Sequence, residues 1–179
     1  PQAYGGMLFL PATADVIASF LREADSAPEE LSTIANVMPA PPMPFLAEEH
    51  HGKMIIMAMM LYAGDATNGE KAMEPFRKLA KPFADMLRPM SYAEMFPPEE
   101  GEYHPIAVSR TMFLDYVDES VAETILKHLN KSTGVMAVSQ LRVLGGAMAR
   151  VSEDATAYAH RKSKIMANLA VLYQDRNEK

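Results

Sequence analysis

Neither cysteine nor tryptophan occurs among the 179 residues. Without cysteine there is no disulfide framework and no thiolate metal site. Long apolar runs are missing as well. The longest, residues 54–63, has the length of a strand and falls far short of the roughly 18 to 20 residues that span a bilayer. Positive charge is sparse and scattered, with 17 Lys and Arg against 23 Asp and Glu and a net charge of −6. A nucleic-acid surface would carry a basic stripe, so no nucleic-acid partner is expected. No P-loop, dinucleotide fingerprint or Ser-His-Asp order with elbow spacing occurs. No secretory leader is read, and the expected location is cytoplasmic.

Methionine is plentiful, at 15 residues. Met54, Met57, Met59 and Met60 fall in one apolar run over 53–62, which reads as a central strand with both faces covered. Before it, 5–10 reads as a strand ended by Pro11. Thr13 then caps a helix whose Ile17, Phe20, Leu21 and Ala24 share a face. Residues 31–38 alternate as a second strand, and the prolines of 39–44 make a stiff connector. Thr67 and Glu70 have capping-box spacing ahead of a helical stripe of Ala72, Phe76, Leu79, Phe83 and Met86. Pro75 and Pro82 leave the start of that helix open. One short turn is expected near 91–96, and the loop 97–101 is the best internal boundary.

A second unit follows. Residues 106–114 read as a strand, Asp118 or Ser120 caps a helix carrying Val121, Ile125, Leu126 and Leu129, and 136–143, 147–151 and 165–173 read as strands. The expected fold is α+β: an antiparallel-rich sheet of about seven strands, helices on one face, in two ferredoxin-like βαβ units. Residues 1–179 form one domain with subunits of about 1–100 and 101–179.

Such a sheet has one face under helices, and the other must meet something. Ser109, Thr111 and Phe113 share one face of their strand, and Gln140 and Arg142 share one face of theirs. Polar residues in mid-strand need partners, so these either orient a small-molecule substrate or simply face water. Asn168 in the last strand is a further candidate for the same place. His160 could take a proton from a substrate, and Arg161 could hold an anion by two parallel bonds; alternatively the pair anchors a turn. His50-His51 beside Glu48-Glu49, and Tyr103-His104, read as solvated loops, and no metal site is expected. Gly145-Gly146 marks a bulge or a place where another body approaches the backbone.

The segment 139–161 runs from a strand through Gly145, Gly146 and Met148 to a polar turn and His160-Arg161. With the runs 29–33 and 88–92, it resembles the FAD-linked oxidases of the berberine-bridge and 6-hydroxynicotine oxidase type. The resemblance covers about 5–173. It implies a substrate-binding domain whose flavin-binding domain is absent: no Arg-Gly-Gly-His segment, no glycine-rich flavin stretch and no closing Tyr-X-Asn-Phe are found. It further implies FAD in the full-length protein and hydride transfer from a small alcohol or amine. Gly145, Gly146 and Met148 would face the cofactor, while Ser109, Thr111, Gln140, Arg142, Arg161 and Asn168 would contact substrate. Since Pro1 is not a natural initiator, the chain reads as a fragment, inactive alone and prone to self-association through its exposed sheet face. The alternative is a stand-alone ferredoxin-like binding or dimerisation module without enzymatic activity.

Overall fold

The computed structural model describes residues 2–96, 106–175 and 177. The boundary expected at 97–101, together with Tyr103 and His104, lies outside the described residues. In chain order the elements are β1 (Gln2–Pro11), α1 (Ala14–Ser26), β2 (Leu31–Pro39), β3 (Met54–Tyr62) and α2 (Ala66–Arg77). Two short strands follow, β4 (Ala84–Asp85) and β5 (Arg88–Ser91). Then come β6 (Ile106–Leu114), α3 (Glu119–Leu129), β7 (Met136–Val143), the single turn α4 (Gly146–Ala149) and β8 (Ile165–Tyr173).

The fold is α+β, with one antiparallel sheet in the order β4-β1-β3-β2-β7-β8-β6 and β5 added beside β1. The order has an internal logic. In the first half β3 inserts antiparallel between β1 and β2, and in the second β8 inserts between β6 and β7. Each half is therefore a split βαβ unit. The halves join where β2 pairs antiparallel with β7, through Ala35, Asn36 and Val37 opposite Leu141, Gln140 and Ser139.

Side chains alternate across a strand, so this register assigns every residue to a face. One face carries Leu8, Leu10, Ala35, Val37, Ile56, Ala58, Met60, Leu141 and Ala167, which pack with the apolar stripes of the helices into the main core. Within it Phe20 of α1 meets Phe76 of α2 edge-to-face, with centroids 5.0 Å apart.

Four local expectations are corrected, and one open alternative, the cap of α3, is resolved. Residues 147–151 form no strand: Gly146 takes a left-handed φ of 57° and opens the turn α4 instead. Thr13 occupies the N-cap of α1 but makes no side-chain cap bond. The second helix is capped by Asp65, whose side chain accepts from the Asn68 amide, so the Thr67–Glu70 spacing is coincidental. That helix holds Pro75 inside it and ends two residues later, so Leu79, Phe83 and Met86 lie beyond it. Asp118, not Ser120, caps α3, accepting from the Val121 amide.

Gly69 in α2 is a place where backbone meets side chain. A Cβ there would lie 2.4 Å from the Cβ of Tyr4 on β1, an atom fixed to the sheet backbone. Gly to Ala in a helix ordinarily stabilises by up to about 1 kcal/mol. Here the sign should reverse. Gly69→Ala is expected to cost about 1 to 3 kcal/mol, the range for overpacking. A denaturant titration showing no loss would mean that α2 can lift off Tyr4.

Candidate functional site

The sheet face turned away from the helices carries Phe9, Met57, Asn36, Gln140, Asn168 and Thr111 in one line across six strands. The register pairs Phe9 with Met57, Met57 with Asn36, Asn36 with Gln140, Gln140 with Asn168 and Asn168 with Thr111. The polar members cross the seam between the two halves. Asn36 is only 2% exposed. It was not singled out from the sequence, although an Asn in the middle of an otherwise apolar strand is the signal that could have found it.

Three of these groups are chained by hydrogen bonds. Arg142 Nη2 donates to Gln140 Oε1 at 3.1 Å, and Gln140 Nε2 donates to Asn36 Oδ1 at 2.8 Å. Asn36 Nδ2 then donates to the carbonyl of Met57 at 3.0 Å. The direction is fixed from the ends: a guanidinium only donates and a carbonyl only accepts, so both amides must be oriented as found. Two buried polar atoms beside the chain have no protein partner, Arg142 Nε and Asn168 Oδ1. Ser109 and Thr111 stand on the same face of β6, both exposed. Thus Ser109, Thr111, Gln140, Arg142 and Asn168 all lie on one surface.

That surface is walled at two ends. On the β1–β3 side the connector after β2 folds over it: Phe45 meets Phe9 edge-to-face at 5.2 Å, and Ala40 and Leu46 join Met38 and Ile55 in a second small core. His50 stacks on Phe83 at 4.1 Å, so this histidine is packed rather than merely solvated as expected. Among the described residues no group of three metal-ligating side chains is assembled. At the opposite end, His160 stacks on Phe113 of β6 with ring centroids 3.7 Å apart and planes 10° apart. Tyr158 meets the same Phe113 ring at 6.4 Å.

Arg161 is used locally. It donates to the carbonyl of Met148 at 3.4 Å and to Thr156 Oγ1 at 2.7 Å, with its guanidinium carbon 5.1 Å from the Tyr158 ring centre. The Gly145-Gly146 turn is clamped from another side. Arg150 makes two bonds to the Glu29 carboxylate, at 2.7 and 2.9 Å, and these hydrogen bonds, with the guanidinium charge behind them, hold that carboxyl below its ordinary range. A Cβ at Gly146 would press on Glu29 at 3.1 Å, whereas nothing stands within 4 Å of one at Gly145. Met148 is half-buried beside this turn. An apolar groove of about 540 Å³ also opens on the helix side, between α3 and β6–β8, lined by Met112, Leu114, Ile125, Leu129 and Leu169 among others. Among the described residues its polar lining side chains, Arg110, Thr124, His128 and Ser132, are joined by no side-chain to side-chain hydrogen bond.

No protein-family model and no curated protein sequence matches this chain. Solved structures do match its fold. A xylooligosaccharide oxidase from Myceliophthora thermophila, in complex with xylobiose, superposes with a TM-score of 0.70 at 16% identity, covering 97% of this chain and 40% of its own. The berberine-bridge-enzyme-like protein 28 of Arabidopsis thaliana gives 0.76 at 15%, covering 99% and 38%. Phl p 4, a grass pollen allergen with glucose dehydrogenase activity, gives 0.73 at 15%, covering 99% and 37%. The chain therefore spans about two fifths of the length of these structures, and its fold is that of one portion of FAD-linked oxidases.

Proposed function

We propose that this chain is the substrate-binding domain of an FAD-dependent oxidoreductase that oxidises a small alcohol or amine. The premise is the shared fold, and the observation that carries the reading is the polar line across the open sheet face. A face that only met water would have no reason to chain Arg142, Gln140 and Asn36 into one fixed orientation, nor to leave Asn168 Oδ1 buried without a donor. Such groups, held by one another and flanked by apolar walls, are what a ligand-orienting surface needs.

The fit to a flavin is one-sided. The methionines and the polar line suit one wall of a ring-shaped site, and Gly145 leaves the backbone open to approach. The phosphates of the dinucleotide would need a glycine-rich cradle, which this sequence does not contain, so they would be held by a separate flavin-binding domain. When bound, the flavin supplies the acceptor for a hydride. This chain would orient the carbon that loses the hydride, through Gln140, Asn168, Thr111 and Ser109, and exclude water from it. The proton released from the hydroxyl or amine needs a base, and His160, stacked on Phe113 at the margin of the face, is the titratable candidate.

The test is to read the gene on both sides of this segment and take the absorbance spectrum of the whole product. A flavin spectrum bleached anaerobically by an alcohol or amine supports the reading. A reading frame that encodes these 179 residues alone, with no bound flavin, would replace it with a stand-alone binding or dimerisation module.

A further inference from the structure

Arg142 is the sole formal charge on the open face of the six long strands among the described residues. The register puts residues 5, 7 and 9 of β1, 55, 57, 59 and 61 of β3 and 32, 34, 36 and 38 of β2 on that side, and none of these is charged. Positions 136, 138 and 140 of β7, 166, 168, 170 and 172 of β8, and 107, 109, 111 and 113 of β6 are uncharged as well. A guanidinium stays protonated at any working pH. Arg142 is half-buried, and among the described residues no carboxylate lies within ion-pair distance of it. A partly desolvated cation without a counter-ion is costly unless something anionic completes it.

The surroundings aim that charge. Gln140 takes one terminal nitrogen, and Asn36 holds Gln140 in turn, while the buried Nε of Arg142 is left without an acceptor. One strand over, the Oδ1 of Asn168 is a buried acceptor without a donor. Asn168 lies opposite Gln140, and Met166 lies opposite Arg142, so Arg142 and Asn168 are diagonal neighbours. Backbone positions in that relation are roughly 7 to 8 Å apart, within the span of a small bifunctional molecule. One group wants an oxyanion and the other wants a hydroxyl or amine hydrogen.

We infer that the open face takes a small organic acid, with its carboxylate on Arg142 and a nearby hydroxyl or amine donating to Asn168. The inference rests on the proposed function for where the ligand sits, and it adds the class: the alcohol or amine is a hydroxy or amino acid. Asn36 then acts as a positioning residue, touching no ligand and fixing Arg142 through Gln140.

The experiment follows the methionine methyl signals of the labelled 179-residue chain during titration with mandelate, with its neutral amide mandelamide, and with phenylacetate, which lacks the hydroxyl. Met57, Met59 and Met166 report on the open face, and Met112 reports on the other. Mandelate should shift the three open-face methyls at concentrations roughly 10- to 100-fold below mandelamide, the range for a charge-assisted contact. Phenylacetate should fall between them. Arg142→Met should abolish the preference for the acid, and Arg142→Lys should restore part of it. Asn36→Leu should weaken mandelate while the acid still outcompetes the amide. Acid and amide binding the open face equally would overturn the inference and leave the proposed function standing. Shifts confined to Met112, or no shifts with any of the three, would overturn both.

Discussion

Phe76→Ala is expected to remove about 3 to 5 kcal/mol of stability, the cost of truncating a buried phenylalanine whose site cannot collapse. Phe76 is 1% exposed and sits in the last turn of α2, directly after Pro75. Its ring packs edge-to-face on Phe20, which is fully buried in α1, so the pair ties the two helices of the first half together over the sheet. The proline limits how far the helix end can move to fill the hole. At roughly 2 to 4 °C per kcal/mol for a chain of this size, the melting temperature should fall by roughly 6 to 20 °C. Phe96→Ala is the control, because that ring is 58% exposed and should cost little. Equal losses for both would show that the α1–α2 contact is not what holds the core.

The second large effect concerns chemistry. In the longer flavin-binding polypeptide proposed above, Gln140→Leu should slow anaerobic flavin reduction by roughly 100-fold, since small misplacements of a bound substrate cost about that much. The substitution takes away the acceptor of Arg142 Nη2 and the donor to Asn36 Oδ1 together. Flavin content should be unaltered, because in the proposed arrangement the flavin phosphates are held outside this chain. Arg110→Ala should leave the rate as it is: Arg110 sits on the same strand as Thr111 but on the opposite face, in the lining of the helix-side groove. A rate lost equally in both variants would point to a general fault in β6 and β7 rather than to the open face.

How far the sequence spoke for itself differs from element to element. The long strands were readable because their period is two and their composition apolar, and the register then put Ser109, Thr111, Gln140, Arg142 and Asn168 on one face. The strands β4 and β5 were not readable. They are two and four residues long, one contains Pro89, and they exist only because β1 offers them an edge. Residues 147–151 carry the right residues for a strand, but Gly146 turns the chain at positive φ and the segment closes into α4. The stripe expected to continue helically to Met86 fails for a local reason, the two prolines at 75 and 82. Asn36 was hidden because alternation alone cannot tell a polar residue that meets water from one that meets a polar residue on another strand. Only the pairing of β2 with β7, more than a hundred residues apart, brings its amide to Gln140.

If the open face is the inner wall of a larger site, methionine oxidation shows it directly. Met57, Met59 and Met166 lie on that face, whereas Met112, 41% exposed, lies on the other. Dilute peroxide converts an accessible thioether to its sulfoxide, which mass spectrometry counts residue by residue. In the longer polypeptide, Met57, Met59 and Met166 should react more slowly than in the isolated 179-residue chain, while Met112 reacts alike in both. Equal reactivity of Met57, Met59 and Met166 in the two proteins would mean that nothing covers this face, and would contradict the account.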